Sequence, residues 1–134
     1  MEFLHPPAWP RAKGYSNGVA ARGRTLHISG MVGWDADGQF ESDDFVAQSA
    51  QALRNIVAVL AEGGAGPEHV VRLTWYVVDK AEYLDAGKAL GAAYRAVMGR
   101  HYPAMSAVQV AGLMEPRARV EIEATAMVLD AEPQ

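Results

Sequence analysis

Two glutamates, Glu121 and Glu123, stand two residues apart in the run Val120-Glu121-Ile122-Glu123-Ala124. On a strand they share one face, roughly 7 Å apart by strand rise. Crowded, part-buried carboxylates titrate high, as a general base needs. The plain alternative is an edge strand whose outer face is simply wet. The other chemistry-bearing residues are easier to set aside. His5, His27, His69 and His101 form neither H-x-H nor H-E-x-x-H, so they read as solvated or capping groups and not as metal ligands. The serines sit in no nucleophile elbow, and there is no GxGxxG or phosphate-binding loop. The chain has no cysteine. That excludes disulfides, an iron–sulfur cluster, a thiol nucleophile and Cys-ligated zinc. Arg22/Arg24 and Arg117/Arg119 are basic pairs near turns and read as solvated faces.

The elements that must carry the two glutamates fit in one domain. The chain has 134 residues, enough for a single core that buries roughly 65–70% of the unfolded surface. Its net charge is −4, which argues against a nucleic-acid or anionic-membrane partner. Met1-Glu2-Phe3-Leu4-His5-Pro6-Pro7 has no basic start and no apolar core of a secretory signal. The longest apolar stretches fall far below the ~20 residues of a membrane helix. The expected location is cytoplasmic.

Pro6, Pro7 and Pro10 make residues 1–13 an irregular leader. A single domain follows over 14–129, and 130–134 form a tail. Gly14 to Ala21 enters a first strand, and Thr25–Gly30 reads as a second. Residues 43–62 read as helix. Val46, Ala50, Leu53, Ile56/Val57 and Leu60 form its stripe, Gln48 and Gln51 lie off it, and Ser42, Asp43 and Asp44 cap it. Gly63-Gly64 stops it. The run 70–78 is strongly β-forming, with Val71, Leu73, Trp75 and Val77 on one face. Arg72, Thr74 and Tyr76 share the other, a mixed face suited to a site or an interface. Asp79-x-x-Glu82 resembles a capping box that opens a second helix ending at Gly99. Residues 105–110 and 119–128 read as two strands paired with each other. In the first, Met105, Ala107 and Gln109 point one way. The order β-β-α-β-α-β-β is α+β: a sheet with two helices on one face.

These segments together resemble a known family. Tyr15-Ser16-Asn17-Gly18-Val19, Ile28-Ser29-Gly30, Ala52-Leu53-x-Asn55-Ile56, Pro103-Ala104-x-Ser106-x-Val108-x-Val110 and Val120-Glu121-Ile122-Glu123-Ala124 are similar to the Rid family, also called YjgF or, by a legacy name, endoribonuclease L-PSP. The resemblance runs from about Tyr15 to Val128. It implies a chorismate-mutase-like fold and a homotrimer, three sheets forming a central barrel with helices outside. It implies small-molecule clefts between subunits, with no metal or organic cofactor. Well-understood members hydrolyse imines and enamines such as 2-aminoacrylate to keto acids and ammonia. In them an Arg of P-A-R-S grips the substrate carboxylate, a final-strand glutamate holds the attacking water, and a tyrosine lines the cleft. By resemblance the catalytic glutamate is Glu121. The ligand-binding positions are Tyr15, Ser29, Gly30, Met105, Ala107 and Gln109.

The arginine does not carry over, because the motif here is Pro103-Ala104-Met105-Ser106. A bidentate Arg–carboxylate bond in a desolvated cleft contributes on the order of 2–5 kcal/mol. Its loss lowers catalytic efficiency by roughly 10²–10³-fold. Activity on 2-aminoacrylate is therefore expected to be weak or absent, unless another arginine substitutes. Arg72 is the candidate, since it shares a strand face with Thr74 and Tyr76. Three readings follow: a Rid-type hydrolase for another small electrophile, a non-catalytic metabolite-binding trimer, and RNA cleavage. The last has no basic groove, catalytic histidine pair or stacking platform behind it. The expected partners are a second and third copy of the chain and a small molecule, with neither nucleic acid nor membrane. Light scattering should give a mass three times that of the chain; a monodisperse monomer at micromolar concentration would remove the intersubunit cleft.

Overall fold

Alternation along one strand separates a dry side of the molecule from a wet one. Val120, Ile122, Ala124 and Ala126 are at most 4% exposed, while Glu121, Glu123 and Thr125 between them are only half-buried. A strand apolar on one side must bury that side against a second layer. Two helices supply it.

The computed structural model describes residues 1–130. Their order is β1 (Glu2–Leu4), β2 (Gly18–Ala20), β3 (Gly23–Val32), α1 (Phe45–Glu62), β4 (Val70–Val77), α2 (Lys80–Met98), β5 (Ala104–Gln109) and β6 (Val120–Leu129). The main sheet runs β3-β6-β4-β5. β6 pairs antiparallel with β3 and β4, and β5 lies parallel to β4. The chain is thus α+β with two helices against a mixed sheet, as expected. Among the described residues no helix is long and apolar enough to cross a membrane.

The strand pairing and the N-terminal segment need correction. The strands at 105–110 and 119–128 are not partners, because β4 lies between them. The parallel partner of β4 is reached through the α2 crossover, which a reading of adjacent strands as a hairpin overlooks. Consequently β6 is central, and the wet edge strand proposed for the glutamates is excluded. Residues 1–13 are not wholly irregular, since Glu2–Leu4 pairs with Gly18–Ala20 in a separate two-stranded sheet. The first expected strand belongs to that small sheet and not to the main one. The tail's residues 131–134 lie outside the described residues.

Helix α1 starts where Asp44 accepts a hydrogen bond from the Ala47 amide at 2.9 Å, and it stops at Gly63. Its buried face is Phe45, Gln48, Ser49, Ala52, Leu53, Ile56 and Leu60. The apolar stripe is therefore turned from the expected one, and Gln48 faces inward. Its amide explains why. Gln48 Nε2 donates to the carbonyls of Ser42 at 2.9 Å and Arg117 at 3.0 Å, and Oε1 accepts from the Arg119 amide at 2.8 Å. One buried side chain thereby ties the helix start to the loop before β6. Helix α2 opens on Asp79, which accepts from the Ala81 amide. Glu82 does not close a capping box, because Arg119 Nε takes its Oε1 at 2.6 Å.

The basic pairs are structural ties, not merely solvated faces. Arg117 donates to Asp43 Oδ1 from two nitrogens and to the Phe40 carbonyl, and Arg24 donates to the Gly63 carbonyl at the end of α1. Replacing Gln48 with Leu keeps the volume but strands the Arg119 amide. A buried unpaired backbone group costs about 1–3 kcal/mol, so Gln48→Leu should lower urea-unfolding stability by about 2 kcal/mol. A loss under about 0.5 kcal/mol would mean that the amide is replaceable.

Candidate functional site

Strand register arranges the wet face of the sheet as a grid. Tyr76 of β4 stands opposite Glu121 of β6 and Val108 of β5. One step along, Thr74 stands opposite Glu123 and Ser106. One further, Arg72 stands opposite Thr125 and Ala104, with His27 of β3 beyond Thr125. A shallow cavity of about 240 Å³ lies over this end, lined by His27, Arg72, Thr74, Glu123 and Thr125 among others.

Between Ile28 and Met31 the pairing of β3 with β6 slips by one residue. Ser29 and Gly30 thus oppose the single Glu123, a β-bulge of the kind that re-aims a strand beside a site. The Glu121 carboxylate packs against Gly30. A Cβ at position 30 would lie 2.7 Å from Glu121 Cδ and closer still to Oε2. Gly30 is therefore the residue that leaves room for the carboxylate, and Glu121 rests directly on the bulge. The structure brings together three expected site residues here: Ser29, Gly30 and Glu121.

Glu123 is engaged differently. Tyr76 donates its hydroxyl to Glu123 Oε1 at 2.6 Å. That hydrogen bond raises the Tyr76 phenol above its ordinary value of 10.0, with desolvation and the Glu123 and Glu121 charges acting in the same direction. Glu123 is thus a hydrogen-bonded partner, while Glu121 makes no hydrogen bond among the described residues. Of the two carboxylates, Glu121 is the one free to hold a water.

The other expected positions lie elsewhere. Met105, Ala107 and Gln109 do share a face, but they register with Leu73, Trp75 and Val77, which point toward the helices. Met105 packs against the core beside α2. Gln109 Oε1 accepts from the Lys80 amide at 2.7 Å and so caps α2. Within one chain the sheet separates this set from Glu121, so a single wall carrying both is excluded. The reason is the parallel register of β5, which no local pattern reveals. Tyr15 lies beside β5 too. Its neighbour Ser16 bridges to Ala104 and takes the Pro103 carbonyl at 3.0 Å. Arg72 faces the Glu123 side of the sheet and not Met105. The arginine that lies in the groove with Met105 is Arg95 of α2. It falls four residues after Gly91 and eight after Gly87, a spacing that places all three on one helix face.

The histidines take supporting roles: His69 Nδ1 accepts from the Gly66 amide, and His101 Nε2 lies 2.6 Å from the Val70 carbonyl. Among the described residues no three His, Asp or Glu side chains gather as metal ligands would.

The Tyr76–Glu123 bond has a pH signature. A phenol raised in the folded state contributes stability that is complete below the unfolded value and is lost as pH rises through the folded one. Glu123→Gln removes the acceptor charge, so one tyrosine should ionise at lower pH in the variant. Alkaline ultraviolet titration of variant against parent reads this directly. Superimposable curves would mean that the bond is not held in solution.

With this geometry in view, comparison with known proteins places the chain. The family model described as Endoribonuclease L-PSP matches residues 7–128. The chain is 34% identical over 132 residues to Protein DfrA of Myxococcus xanthus, covering 92% of this chain and 93% of that one. It is 32% identical over 105 residues to the 2-iminobutanoate/2-iminopropanoate deaminase of Homo sapiens, covering 78% and 73%. The crystal structure of the Rid-family protein YyfB from Yersinia pestis superposes with a TM-score of 0.82 at 37% identity, over 95% of this chain and 98% of that one. The matched span holds both the Gly30 bulge and the final-strand glutamates, and the chain belongs to the Rid (YjgF, endoribonuclease L-PSP) family.

Proposed function

We propose that this protein is a hydrolase of the imine or enamine deaminase type, acting on a small reactive metabolite in a cleft between subunits of a homotrimer. The observation that carries the proposal is the Glu121 carboxylate, seated on the Gly30 bulge of the wet sheet face with no hydrogen-bond partner of its own among the described residues. The deaminase names of the human and mouse relatives support the same chemistry. The half-polar face of the sheet supports the trimer, since a second copy would cover it. Such a copy would also bring its own Glu121 toward the Met105 side of its neighbour, which one chain alone keeps apart.

In this reading Glu121 orients a water and accepts its proton as the oxygen adds to the imine carbon. The proton passes to nitrogen, the C–N bond breaks, and ammonia leaves a keto acid. Imine plus water thus balances ketone plus ammonia, with no oxidant or reductant. Tyr15 lines the cleft, Ser29 and Gly30 shape the floor under the carboxylate, and Ala107 adjoins Met105. Met105 presents a polarizable apolar surface where relatives of the P-A-R-S type present a cation. Turnover of 2-aminoacrylate is weak for that reason. The same methionine favours a second reading, a trimer that binds a metabolite without turnover. Neither RNA nor a membrane is a partner in either case.

One assay separates them: release of keto acid from freshly generated imines. General-base assistance accounts for roughly 10²–10⁴-fold in rate. Glu121→Gln should lose that much on any substrate the parent hydrolyses, and Glu123→Gln much less. Met105→Arg should raise activity on 2-aminoacrylate roughly 10²-fold. Absence of turnover by the parent on every imine tried would leave the binding trimer. Full activity of Glu121→Gln would remove the base.

A further inference from the structure

We propose that the groove between α2 and β5 binds a small aromatic carboxylate, with Arg95 as the charged contact to the carboxylate. This rests on the functional reading above, because Met105 lines the groove, and it names the class of acid that the site selects. The groove encloses about 250 Å³, just below the roughly 300–1,000 Å³ of drug-sized ligand sites and so suited to a small molecule. Its walls are Trp75, Tyr83, Tyr94, Tyr102 and Met105. The rings are already ordered against each other. Tyr94 and Tyr102 stack with centroids 5.6 Å apart and an interplanar angle of 16°, and Trp75 meets Tyr83 edge-on at 6.1 Å. A flat apolar body suits such walls better than a short polar chain does.

The space exists because α2 gives up side chains there. Gly87 and Gly91 line the groove, one helical turn apart. Gly87 also breaks the helix at φ 42°, ψ −113°, a conformation that other residues rarely adopt. Arg95, one turn further on, also lines the groove, and Lys13 of the leader joins it. Among the described residues the Arg95 guanidinium makes no ion pair or hydrogen bond, whereas Arg117 and Arg119 are both committed to carboxylates. Trp75 also lines the groove. Trp75 Nε1 is buried without a hydrogen-bond partner among the described residues, and a buried unmet donor of this kind calls for an explanation. A carboxylate would meet a free cation here, in a groove where the family's usual arginine position holds Met105.

Titration calorimetry with phenylacetate tests this, with 2-phenylethanol as the uncharged control. Phenylacetate contains no imine, so the result does not depend on turnover. Arg95→Gln should weaken binding roughly ten-fold or more, with little change for 2-phenylethanol. Gly91→Leu, which favours the helix while filling the groove, should abolish binding of both. The proposal is overturned if the folded parent does not bind phenylacetate, or if Arg95→Gln binds it as the parent does. An inactive protein that still binds phenylacetate through Arg95 would overturn the hydrolase reading and leave this one standing.

Discussion

The period of two along β6 is the constraint on which the rest of the molecule depends. Each residue of Val120–Leu129 must face either the helices or the open side, and β6 touches both β3 and β4. Because Val120, Ile122, Ala124 and Ala126 are committed to the core, Glu121 and Glu123 have no freedom to turn inward. A slip of one residue would bury two carboxylates and expose four apolar side chains. The energy that fixes the core therefore also aims the candidate site. Of the two register shifts along β6, one at Val70–Arg72 of β4 and one at Ser29 and Gly30 of β3, the second falls beside Glu121 and makes room for it.

Around this sheet the loops are held by a few polar side chains. Gln48 reaches three backbone groups from inside the core, and Arg117 and Arg119 clasp Asp43 and Glu82 at the starts of the two helices. The segment before β6 is thus fastened to both helix starts. Exposed ion pairs contribute little singly, so the buried amide is the stronger tie. Arg119 with Glu82 is the better placed of the two pairs, since both are partly sheltered.

Much of this could be read from the amino-acid sequence. Local signals carried the two helices, their caps at Asp44 and Asp79 and their ends at glycine, because such signals act within one turn. The motif resemblance carried the family and pointed to Glu121 and Gly30. What could not be read depends on pairing between distant segments. The parallel register of β5 placed Met105 and Gln109 on the helix side, and nothing within Pro103–Val110 encodes it. The inward turn of Gln48 depends on backbone groups as many as 71 residues away. Tyr76 was visible as part of a mixed face, but its bond to Glu123 needs the diagonal neighbour that only the β4–β6 register supplies.

The position of β6 also shapes how the chain is assembled during synthesis. It is the last strand in sequence among the described residues, yet it occupies an interior place between β3 and β4. Its pairing of Gly23 with Leu129 and Val32 with Glu121 spans most of the chain. Until the ribosome has released that segment, β3 and β4 have no common partner and their edges remain open to other chains. The nascent protein can form its helices early, but the sheet must wait for its centre. Long-range closure of this kind folds slowly. A growing polypeptide of this topology is therefore most exposed to mispairing just before β6 emerges.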